Sequence, residues 1–547
     1  MARNSPLGRH SPFLSLIAFL FLAALYVDRY LDAFTYVLMN SRLFFQLFLG
    51  VTVIAVLKNV VGVRTFGTFA PVILALAFLQ AGLLFGLLLL LNILFIVIST
   101  RELIRRELIQ QDHRIAILVT LVGLSIVMIE ILAEYFHYPQ FDFSFLFPVL
   151  ILAWVAERYV EGIDRSGWEL PSTQLLWTVV SVLVAYAVMT VDPAVDFLTL
   201  NPLVWPLLVL ANWFLGTRVR FRLSERRRFR KTLGHLPPSS RDHDVLTMNV
   251  RNREFIAKYN DPALFPILTK ARTKEILASH GVPVPETYLL LEGREDLAKL
   301  EAFLGTATAF VIKPGLGHGG EGVLVVRGRK KGRFDTNLGT MDAAEIVAHA
   351  QYILTGAFGG DGGDIALVEA LVEPHPGLGD LIPSGLADIR VICLRGYPVM
   401  AMMRLPTEES AGRANLHAGA VGCGIQLSLG RVVHATWHGR PIGKHPDTSA
   451  PLLRTEIPFW SQILEIAAQA QLASGLGYAG VDIVLDKGRG PLVLEVNKRP
   501  GLEIQNANSA GLLRRLRSVE ATLASGDVEE RVRRSLELDT TNWGTAA

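Results

Sequence analysis

Residues 480–497 carry three oxygen-bearing side chains at a spacing that suits a metal ion. Two apolar runs flank a glycine-rich turn at residues 486–491, which predicts a β-hairpin. Asp482 and Glu495 are equally far from the middle of that turn, so we expect them to be cross-strand neighbours, and Asn497 shares their face. Two carboxylates and an amide oxygen suit Mg²⁺, whose shell phosphates often complete. The alternative is a solvated hairpin face.

A second candidate site lies where an apolar run ends in a lysine and enters a glycine-rich loop. Residues 310–314 predict a strand that contains Lys313, and the loop occupies residues 315–322. Backbone N–H groups of such a loop can approach phosphates closely, and the lysine adds a fixed cation. No Gly-Lys-Ser/Thr follows, so the loop is not a P-loop. An exposed lysine without function is the alternative for Lys313. The candidate loop glycines are Gly317, Gly319, Gly320 and Gly322.

The apolar stretch at residues 364–373 predicts a strand that changes character at Glu369. Its backbone around Val372 is suited to the edge of an adenine ring, and Glu373 to accepting hydrogen bonds from ribose hydroxyls. Arg404 closes another apolar strand, where a buried charge is costly unless a partner or ligand pairs with it.

A polar, glycine- and alanine-rich segment at residues 412–420 reads as an active-site loop. Arg413 in this loop is suited to a fork-like grip on a carboxylate or phosphate, and Asn415 lies two residues further on. His417 follows, and a structural histidine is the alternative to a proton-transfer role there.

These residues must be positioned by a chain of 547 residues whose composition changes along its length. Residues 1–217 are dominated by apolar runs, residues 218–245 form a basic and then polar linker, and residues 246–537 have globular composition. The net charge of +3 gives no case for nucleic acid as a partner. The two cysteines exclude a disulfide framework and a cysteine-rich metal site, and we interpret both as small core residues.

The apolar half predicts about eight membrane-spanning helices, with seven as the alternative because the third span is short. Cations concentrate in alternate loops and in the tail after the last span, which is the positive-inside pattern. This predicts a multi-pass protein of a bacterial inner (cell) membrane, with the lipid bilayer as a partner and both termini cytoplasmic. The predicted spans are residues 11–27, 43–60, 67–80, 82–100, 114–134, 143–158, 173–191 and 199–216.

Residues 60–71 and 147–158, within a stretch of about residues 43–216, resemble the seven-transmembrane domain that other bacterial proteins carry fused to an inactive transglutaminase. The loop after the first span is too short to hold a transglutaminase domain here. This resemblance implies a membrane platform and names no chemistry.

The order of charged residues in the second half resembles that of ATP-grasp enzymes, and most of all the alpha-L-glutamate ligase-like (RimK-related) group. The resemblance covers about residues 246–520 and rests on Lys270, Lys313 with its loop, Glu369 and Glu373, the 388–390 and 413–417 motifs, and finally Asp482, Glu495 and Asn497. It implies a multi-domain protein in which an N-terminal all-α polytopic membrane domain precedes an α+β ATP-grasp domain.

By that resemblance, Lys270 and Lys313 touch the phosphates of ATP and the glycine-rich loop covers them. Residues 369–373 hold adenine and ribose. The two hairpin acids and Asn497 carry Mg²⁺, or alternatively Mn²⁺. Arg404, Arg413 and Asn415 grip the acyl phosphate or the substrate carboxylate. Because Thr269 stands where an acid often precedes the first lysine, the choice between Lys270 and Lys274 stays open.

The implied activity is that of a membrane-anchored, ADP-forming carboxylate–amine ligase that makes an amide or peptide bond through an acyl phosphate. Adding an amino acid such as glutamate to a peptide, protein or envelope component is one form of that reaction. A membrane transporter or sensor with a regulatory nucleotide domain is the alternative, and a kinase of the same fold is a third. The acid, the amine and the oligomeric state are left open by the sequence.

Overall fold

A computed structural model describes residues 6–106, 111–135, 151, 153–156, 158–159, 162–163, 168–230, 243–317, 320–358, 363–522 and 526–541. The chain divides into two compact units, Met1–Ser224 and Glu225–Ala547. Most of the predicted sixth span, at residues 143–158, lies outside the described residues.

The first unit is helical throughout its described elements, as expected for long apolar runs with few charges. Its helices are α1 (Pro6–Arg29), α2 (Leu31–Asn40), α3 (Arg42–Val56), α4 (Phe69–Ala81), α5 (Leu83–Arg106), α6 (Gln111–Tyr135), α7 (Glu169–Met189), α8 (Asp192–Leu200) and α9 (Val204–Arg218). A π-helical turn, Leu57–Val61, extends α3.

In the described part of this unit, two helices are long and apolar enough to cross a bilayer, Arg42–Val61 and Leu170–Met189. Two further pairs qualify only as broken spans: Phe13–Arg29 with Leu31–Asn40, bent by 106°, and Asp192–Leu200 with Val204–Arg230, bent by 109°. Shorter apolar helices cover Phe69–Gln80, Gly86–Thr100 and Ala116–Ile129. The count of eight spans therefore stays a prediction.

Neighbouring side chains bond to three backbone groups of the non-helical segment between α3 and α4. Phe66 N donates to Thr178 Oγ1 at 3.0 Å, and Gln174 Nε2 donates to Thr65 O at 3.2 Å. Lys58 Nζ donates to Gly67 O at 2.9 Å. Protein partners of this kind allow irregular backbone within an apolar helical unit.

The second unit contains a six-stranded antiparallel sheet in the order β1-β6-β2-β3-β4-β5. Its strands are β1 (Thr287–Leu291), β2 (Phe310–Pro314), β3 (Leu324–Lys330), β4 (Arg333–Thr336), β5 (Gly339–Met341) and β6 (Ala366–Glu369). Helices α12 (Leu297–Thr306) and α13 (Ala343–Leu354) bury their apolar sides against this sheet, in a core that includes Phe310, Ile312 and Phe334.

A seven-stranded antiparallel sheet follows, in the order β11-β10-β9-β8-β7-β12-β13. Its strands are β7 (Asp388–Leu394), β8 (Tyr397–Leu405), β9 (Val421–Gln426), β10 (Arg431–Trp437), β11 (Arg440–Pro441), β12 (Tyr478–Asp486) and β13 (Gly490–Asn497). Cys393 and Cys423 are fully buried in it, and burial raises the pKa of both thiols, so they are core residues as predicted.

The remaining helices of the second unit frame these sheets. They are α10 (Leu223–Arg230), α11 (Lys270–Ser279), α14 (Trp460–Ala473), α15 (Ile504–Asn508), α16 (Leu513–Ala521) and α17 (Val528–Thr541), with short helical turns at Met248–Val250, Arg251–Ile256, Ala257–Tyr259 and Leu264–Ile267. Part of the predicted linker is thus helical, with Glu225 and Phe229 buried. The last helix runs beyond residue 537, where Asp539 accepts a hydrogen bond from Ser428 N at 2.9 Å.

Candidate functional site

The hairpin of β12 and β13 has the predicted register. Asp482 lies directly opposite Glu495, and Gly480 lies opposite Asn497, so the three candidate ligands share one face. A bulge between Asp482 and Ile483 leaves Leu494 without a cross-strand partner. Such an extra residue changes the local twist and re-aims the side chains beside it.

Asp482 is held by two arginines that sequence spacing did not place beside it. Arg390 Nε and Nη2 donate to its two carboxylate oxygens at 2.7 and 2.6 Å. Arg404 Nη2 and Asn497 Nδ2 each donate to Oδ2 at 2.9 Å. Burial would raise the pKa of Asp482, but the two guanidinium groups lower it below its ordinary value, so the carboxylate stays ionised.

Arg404 also forms a two-point ion pair with Asp388 on the neighbouring strand β7. Burial raises the pKa of Asp388 to about 6, and the Asp482 charge adds to that rise. The prediction that Arg404 needs a partner is therefore confirmed, and its partners are carboxylates of the same sheet. Arg404 therefore contacts the face that carries the candidate metal ligands, and its predicted grip on an acyl phosphate or a substrate carboxylate stays a prediction.

Glu495 differs from Asp482 in its surroundings. Among the described residues, no hydrogen bond or ion pair engages its half-buried carboxylate. Burial lowers the pKa of Lys270, and the nearby negative charge of Glu495 opposes this effect. Lys270 also bonds to the glycine-rich loop, and its helix packs on β13, so this helix connects the loop to the strand that bears Glu495 and Asn497.

The glycine-rich loop is fixed at both ends by side chains. Lys270 Nζ donates to Pro314 O at 3.3 Å and to Gly317 O. Asp364 accepts from Leu316 N at 3.1 Å with each carboxylate oxygen. Lys270 thus holds the loop from below, while its role toward nucleotide phosphates stays a prediction.

At its other end the loop requires glycine. Gly320 and Gly322 have φ values of +83° and +69°, a region that favours glycine, and a Cβ on Gly322 would lie 2.6 Å from the Phe358 ring. His349 Nε2 lies 3.0 Å from Gly322 O. Gly319, a candidate loop glycine, lies outside the described residues.

Three charges meet beneath the loop in a buried ion-pair triad. Lys274 Nζ and Lys313 Nζ each lie 2.7 Å from a carboxylate oxygen of Glu369. Glu369 is 3% exposed. Burial lowers the pKa of Lys274 to about 8, and Glu369 is the main group that opposes this. Glu369 thus contacts two lysines, and its predicted role beside adenine stays a prediction. Lys270 contacts the loop and Lys274 contacts Glu369, so the choice between them as the first nucleotide lysine stays open.

The predicted strand at residues 364–373 ends at Glu369, and the chain continues as a connector between the two sheets. Val372 is half-buried in this connector and the side chain of Glu373 is 64% exposed. Glu373 N donates to Asp486 Oδ2 at 3.0 Å, and Lys487 N donates to Glu373 O at 2.9 Å. The connector is thus tied to the tip of the hairpin.

Asp486 and Arg489 were missed as site residues by the sequence reading. Asp486 accepts from three backbone N–H groups and from Arg489, whose Nη2 also donates to Leu371 O at 2.8 Å. Burial alone would raise the pKa of Asp486, but these donors lower it. The sequence shows the turn-forming Asp and Gly residues of this segment, but it does not show their long-range contacts with the connector at Leu371 and Glu373.

The predicted active-site loop packs against the glycine-rich loop. The side chain of Arg413 lies 3.5 Å from a Cβ position on Gly320, and its Nε donates to Ser410 O at 3.1 Å. Asn415 Oδ1 accepts from His417 N at 3.0 Å and caps the short helical turn Leu416–Ala418. Arg413 is thus placed over the loop, whereas Asn415 has a local structural contact.

The donor set fits a divalent cation held jointly with phosphates. Among the described residues, no three His, Cys, Asp or Glu side chains gather as a metal cluster. Within the part of the chain that the structure describes, no ion pair or hydrogen bond occupies the Glu495 carboxylate. Asp482 Oδ1 accepts one hydrogen bond, and Oδ2 accepts three. Two carboxylate oxygens and one amide suit Mg²⁺, which commonly takes only one or two protein carboxylates and leaves the rest to water and phosphate.

Residues 250–521 match the protein family described as sugar-transfer associated ATP-grasp. The second unit carries an ATP-grasp domain. Residues 36–233 match the family of seven transmembrane helices usually fused to an inactive transglutaminase. Both predicted resemblances, and the predicted fold class of a helical membrane domain followed by an α+β domain, are confirmed.

The ATP-grasp domain is similar to curated proteins called probable alpha-L-glutamate ligase. One from Xanthomonas euvesicatoria pv. vesicatoria is 28% identical over 47% of this chain and 66% of its own length. One from Marinobacter nauticus is 32% identical over 45% of this chain and 61% of its own length. This chain therefore spans less than two thirds of these relatives. A solved structure, D-cycloserine synthetase, is 19% identical over 46% of this chain and 69% of that one, with a TM-score of 0.28.

Proposed function

We propose that this protein is a membrane-anchored, ATP-dependent carboxylate–amine ligase. The observation that carries the proposal is the face formed by Asp482, Glu495 and Asn497, which lies close to Lys270 and the loop it holds. A site in which candidate metal ligands lie close to a glycine-rich loop, itself hydrogen-bonded to a lysine, is suited to a nucleoside triphosphate. The match of residues 250–521 to an ATP-grasp family supports the same conclusion.

ATP would lie between the two sheets of the domain. Lys274 and Lys313 supply positive charge beneath the loop, and glycine backbone N–H groups are available to the phosphates. The connector after Glu369 offers the backbone groups of Val372 to the base, because Leu371 O and both backbone groups of Glu373 already bond to the hairpin tip. Asp482, Glu495 and Asn497 would hold Mg²⁺, which neutralises phosphate charge when bound.

The proposed reaction has two balanced steps. An oxygen of the substrate carboxylate attacks the γ-phosphorus of ATP, the bond to the β-phosphate oxygen breaks, and an acyl phosphate and ADP form. The nitrogen of an amine then attacks the acyl carbon, inorganic phosphate leaves with the bonding electrons, and the nitrogen releases a proton. Phosphoryl transfer depends chiefly on positioning and charge neutralisation, which agrees with a site of lysines and arginines.

The side chains have separate tasks in this proposal. Lys274 and Lys313 hold phosphate oxygens, and Arg413, whose side chain lies against Gly320, grips the acyl phosphate from the side of the loop. Arg390 and Arg404 keep Asp482 ionised and fixed for the metal ion. Asn415 stabilises the loop that carries Arg413, because its side chain caps the helical turn Leu416–Ala418.

The match to a seven-transmembrane family supports a membrane protein, and the match begins after the first predicted span. Seven helices of that family and the first span together give the predicted count of eight. Positive residues in the alternate loops support cytoplasmic placement of the ligase domain in a bacterial inner membrane. The name of the curated relatives supports glutamate as the amino acid that is joined. The proposed acceptor is a peptide, protein or envelope component.

The test is release of ADP and phosphate by the full-length protein in detergent, with ATP, Mg²⁺ and a panel of amino acids. We expect release that depends on an amine and is lost in Glu495→Gln. Lys444→Gln, at an exposed position away from the face, is the matched control and should retain wild-type turnover. Tight ATP binding without turnover on any acceptor would contradict the ligase and favour a sensor or transporter.

A further inference from the structure

Lys498 and Arg499 form a pair of adjacent cations at the end of strand β13, and both lie over the ring of Phe265. Lys498 Nζ is 5.7 Å and Arg499 Cζ is 5.4 Å from the ring centroid. Lys498 Nζ also donates to Phe265 O. Among the described residues, no carboxylate forms an ion pair with either cation.

This pair is rigidly attached to the metal face. Arg251 Nη1 donates to Pro500 O at 2.7 Å in the turn that follows the two cations. Pro500 packs so closely on Gly480 that a Cβ there would lie 2.7 Å from the proline ring. Since Gly480 is the cross-strand partner of Asn497, the cations are fixed beside the proposed metal ligand.

Phe265 connects the pair to the segment that leads into helix α11. Phe265 precedes α11, whose first residue, Lys270, reaches the glycine-rich loop. Helix α11 packs on β13, and the residue Phe265 before this helix contacts the two cations that follow β13. Cation–π contacts hold both side chains in place at modest energy and leave their charges available.

Two neighbouring positive charges suit a ligand that carries more than one negative charge. A phosphate monoester carries about −1.5 to −2 at neutral pH and offers three acceptor oxygens, whereas a carboxylate carries a single charge. Arginine additionally matches phosphate geometry with two parallel donors. A phosphate group therefore satisfies the pair better than a carboxylate does.

We propose that Lys498 and Arg499, held on Phe265, bind a phosphate group of the substrate that the ligase joins, beside the metal face and apart from ATP. This inference rests on the proposed function and names the class of its substrate as phosphate-bearing. The site lies on the sheet that carries the metal ligands, so a phosphorylated substrate anchored there has its reacting end close to Glu495 and Asn497.

The experiment measures binding of inorganic phosphate to the full-length protein in detergent by titration calorimetry. Saturating Mg²⁺ and the non-hydrolysable analogue AMPPNP are present, so that the nucleotide lysines are already occupied. We expect saturable phosphate binding by the wild type. The double variant Lys498→Gln/Arg499→Gln should bind phosphate at least about tenfold more weakly, which corresponds to about 1.4 kcal/mol. The single variant Arg499→Gln, at an exposed position, should show a smaller loss in the same direction.

The matched control is Arg440→Gln/Lys444→Gln, which removes the same two charges from an exposed region of the same domain. It should bind phosphate as the wild type does, and both double variants should bind AMPPNP with unchanged affinity. Wild-type phosphate binding by the Lys498/Arg499 variant, no saturable phosphate binding by the wild type, or a loss of AMPPNP affinity in the variant would each overturn the inference. If the wild type fails to bind AMPPNP at all, the proposed ligase function fails first.

Discussion

Replacing Glu369 with glutamine removes the negative charge that lies 2.7 Å from both Lys274 and Lys313. The side chain keeps its size, so the change tests charge rather than packing. If Glu369 positions the two lysines, the variant should lose stability and should change the pH dependence of ATP use. If Glu369 instead contacts adenine, ATP affinity alone should change.

The size of the stability loss follows from burial. The side chains of Glu369, Lys274 and Lys313 are 4%, 11% and 16% exposed. Removing one partner of a buried ion pair costs roughly 3–5 kcal/mol, because the other charge stays behind without compensation. A buried lysine can release its proton instead, which limits the penalty. We therefore expect a loss of roughly 3 kcal/mol.

The pH dependence has a definite sign. Burial lowers the pKa of Lys274 to about 8, and Glu369 is the largest influence that raises it. The charged form of the lysine exists below its pKa, so kcat/KM for ATP in the wild type should fall as the pH rises through about 8. In Glu369→Gln the pKa of Lys274 falls further, and the same decline should begin at a lower pH.

Two measurements check this prediction: thermal unfolding in detergent, and kcat/KM for ATP from ADP release across about pH 6 to 10. Glu373→Gln is the matched control, because it removes the same charge from an exposed side chain of the adjacent connector. It should leave both the melting temperature and the alkaline decline unchanged. A Glu369→Gln variant with wild-type stability and a wild-type alkaline decline would refute the positioning role.

Three further predictions concern the hairpin and the loop. Asp482→Asn should abolish turnover and destabilise the protein by roughly 3–5 kcal/mol, because two buried guanidinium groups lose their charged partner. Glu495→Gln should abolish Mg²⁺-dependent turnover but leave the melting temperature unchanged. Gly322→Ala should raise KM for ATP and lower the melting temperature, because φ is +69° and its Cβ would meet the Phe358 ring; steady-state kinetics check this. Asp486 has a lowered pKa, so its contribution to stability is present above the unfolded value of about 4 and is lost as the pH falls below it; Asp486→Asn should flatten acid unfolding curves in that range.

The local parts of the site follow from the sequence because they depend on short-range geometry. The hairpin turn and the alternation of apolar residues define which residues pair across β12 and β13, and Asp482 opposite Glu495 is the outcome. The strand that bears Lys313 and the glycine loop after it are equally local. The strand at residues 364–373 was predicted too long, because the connector after Glu369 bonds to the hairpin tip instead of a sheet.

The long-range partners do not follow from the sequence. The sheet order places β7 between β8 and β12, and only this order brings Arg390 and Arg404 to Asp482. Likewise, Glu369 meets two lysines from different elements, α11 and β2. Apolar runs predicted helices in the membrane unit, but the sharp breaks after Arg29 and after Leu200 were not visible in composition.

Arg390 and Arg404 explain how the buried carboxylate of Asp482 can stay ionised before a metal ion binds. Asp388, Asp482 and Glu495 bring three negative charges to this part of the sheet, and Arg390 and Arg404 bring two positive charges, which leaves one negative charge. Both arginines are engaged by the two aspartates, so the remaining negative charge of this set is that of Glu495. The nearby cations Lys270 and Lys498 interact with it, but neither forms an ion pair with it among the described residues. An incoming divalent cation is therefore attracted first to Glu495, and Asp482, already ionised and fixed, completes the site without a change of protonation.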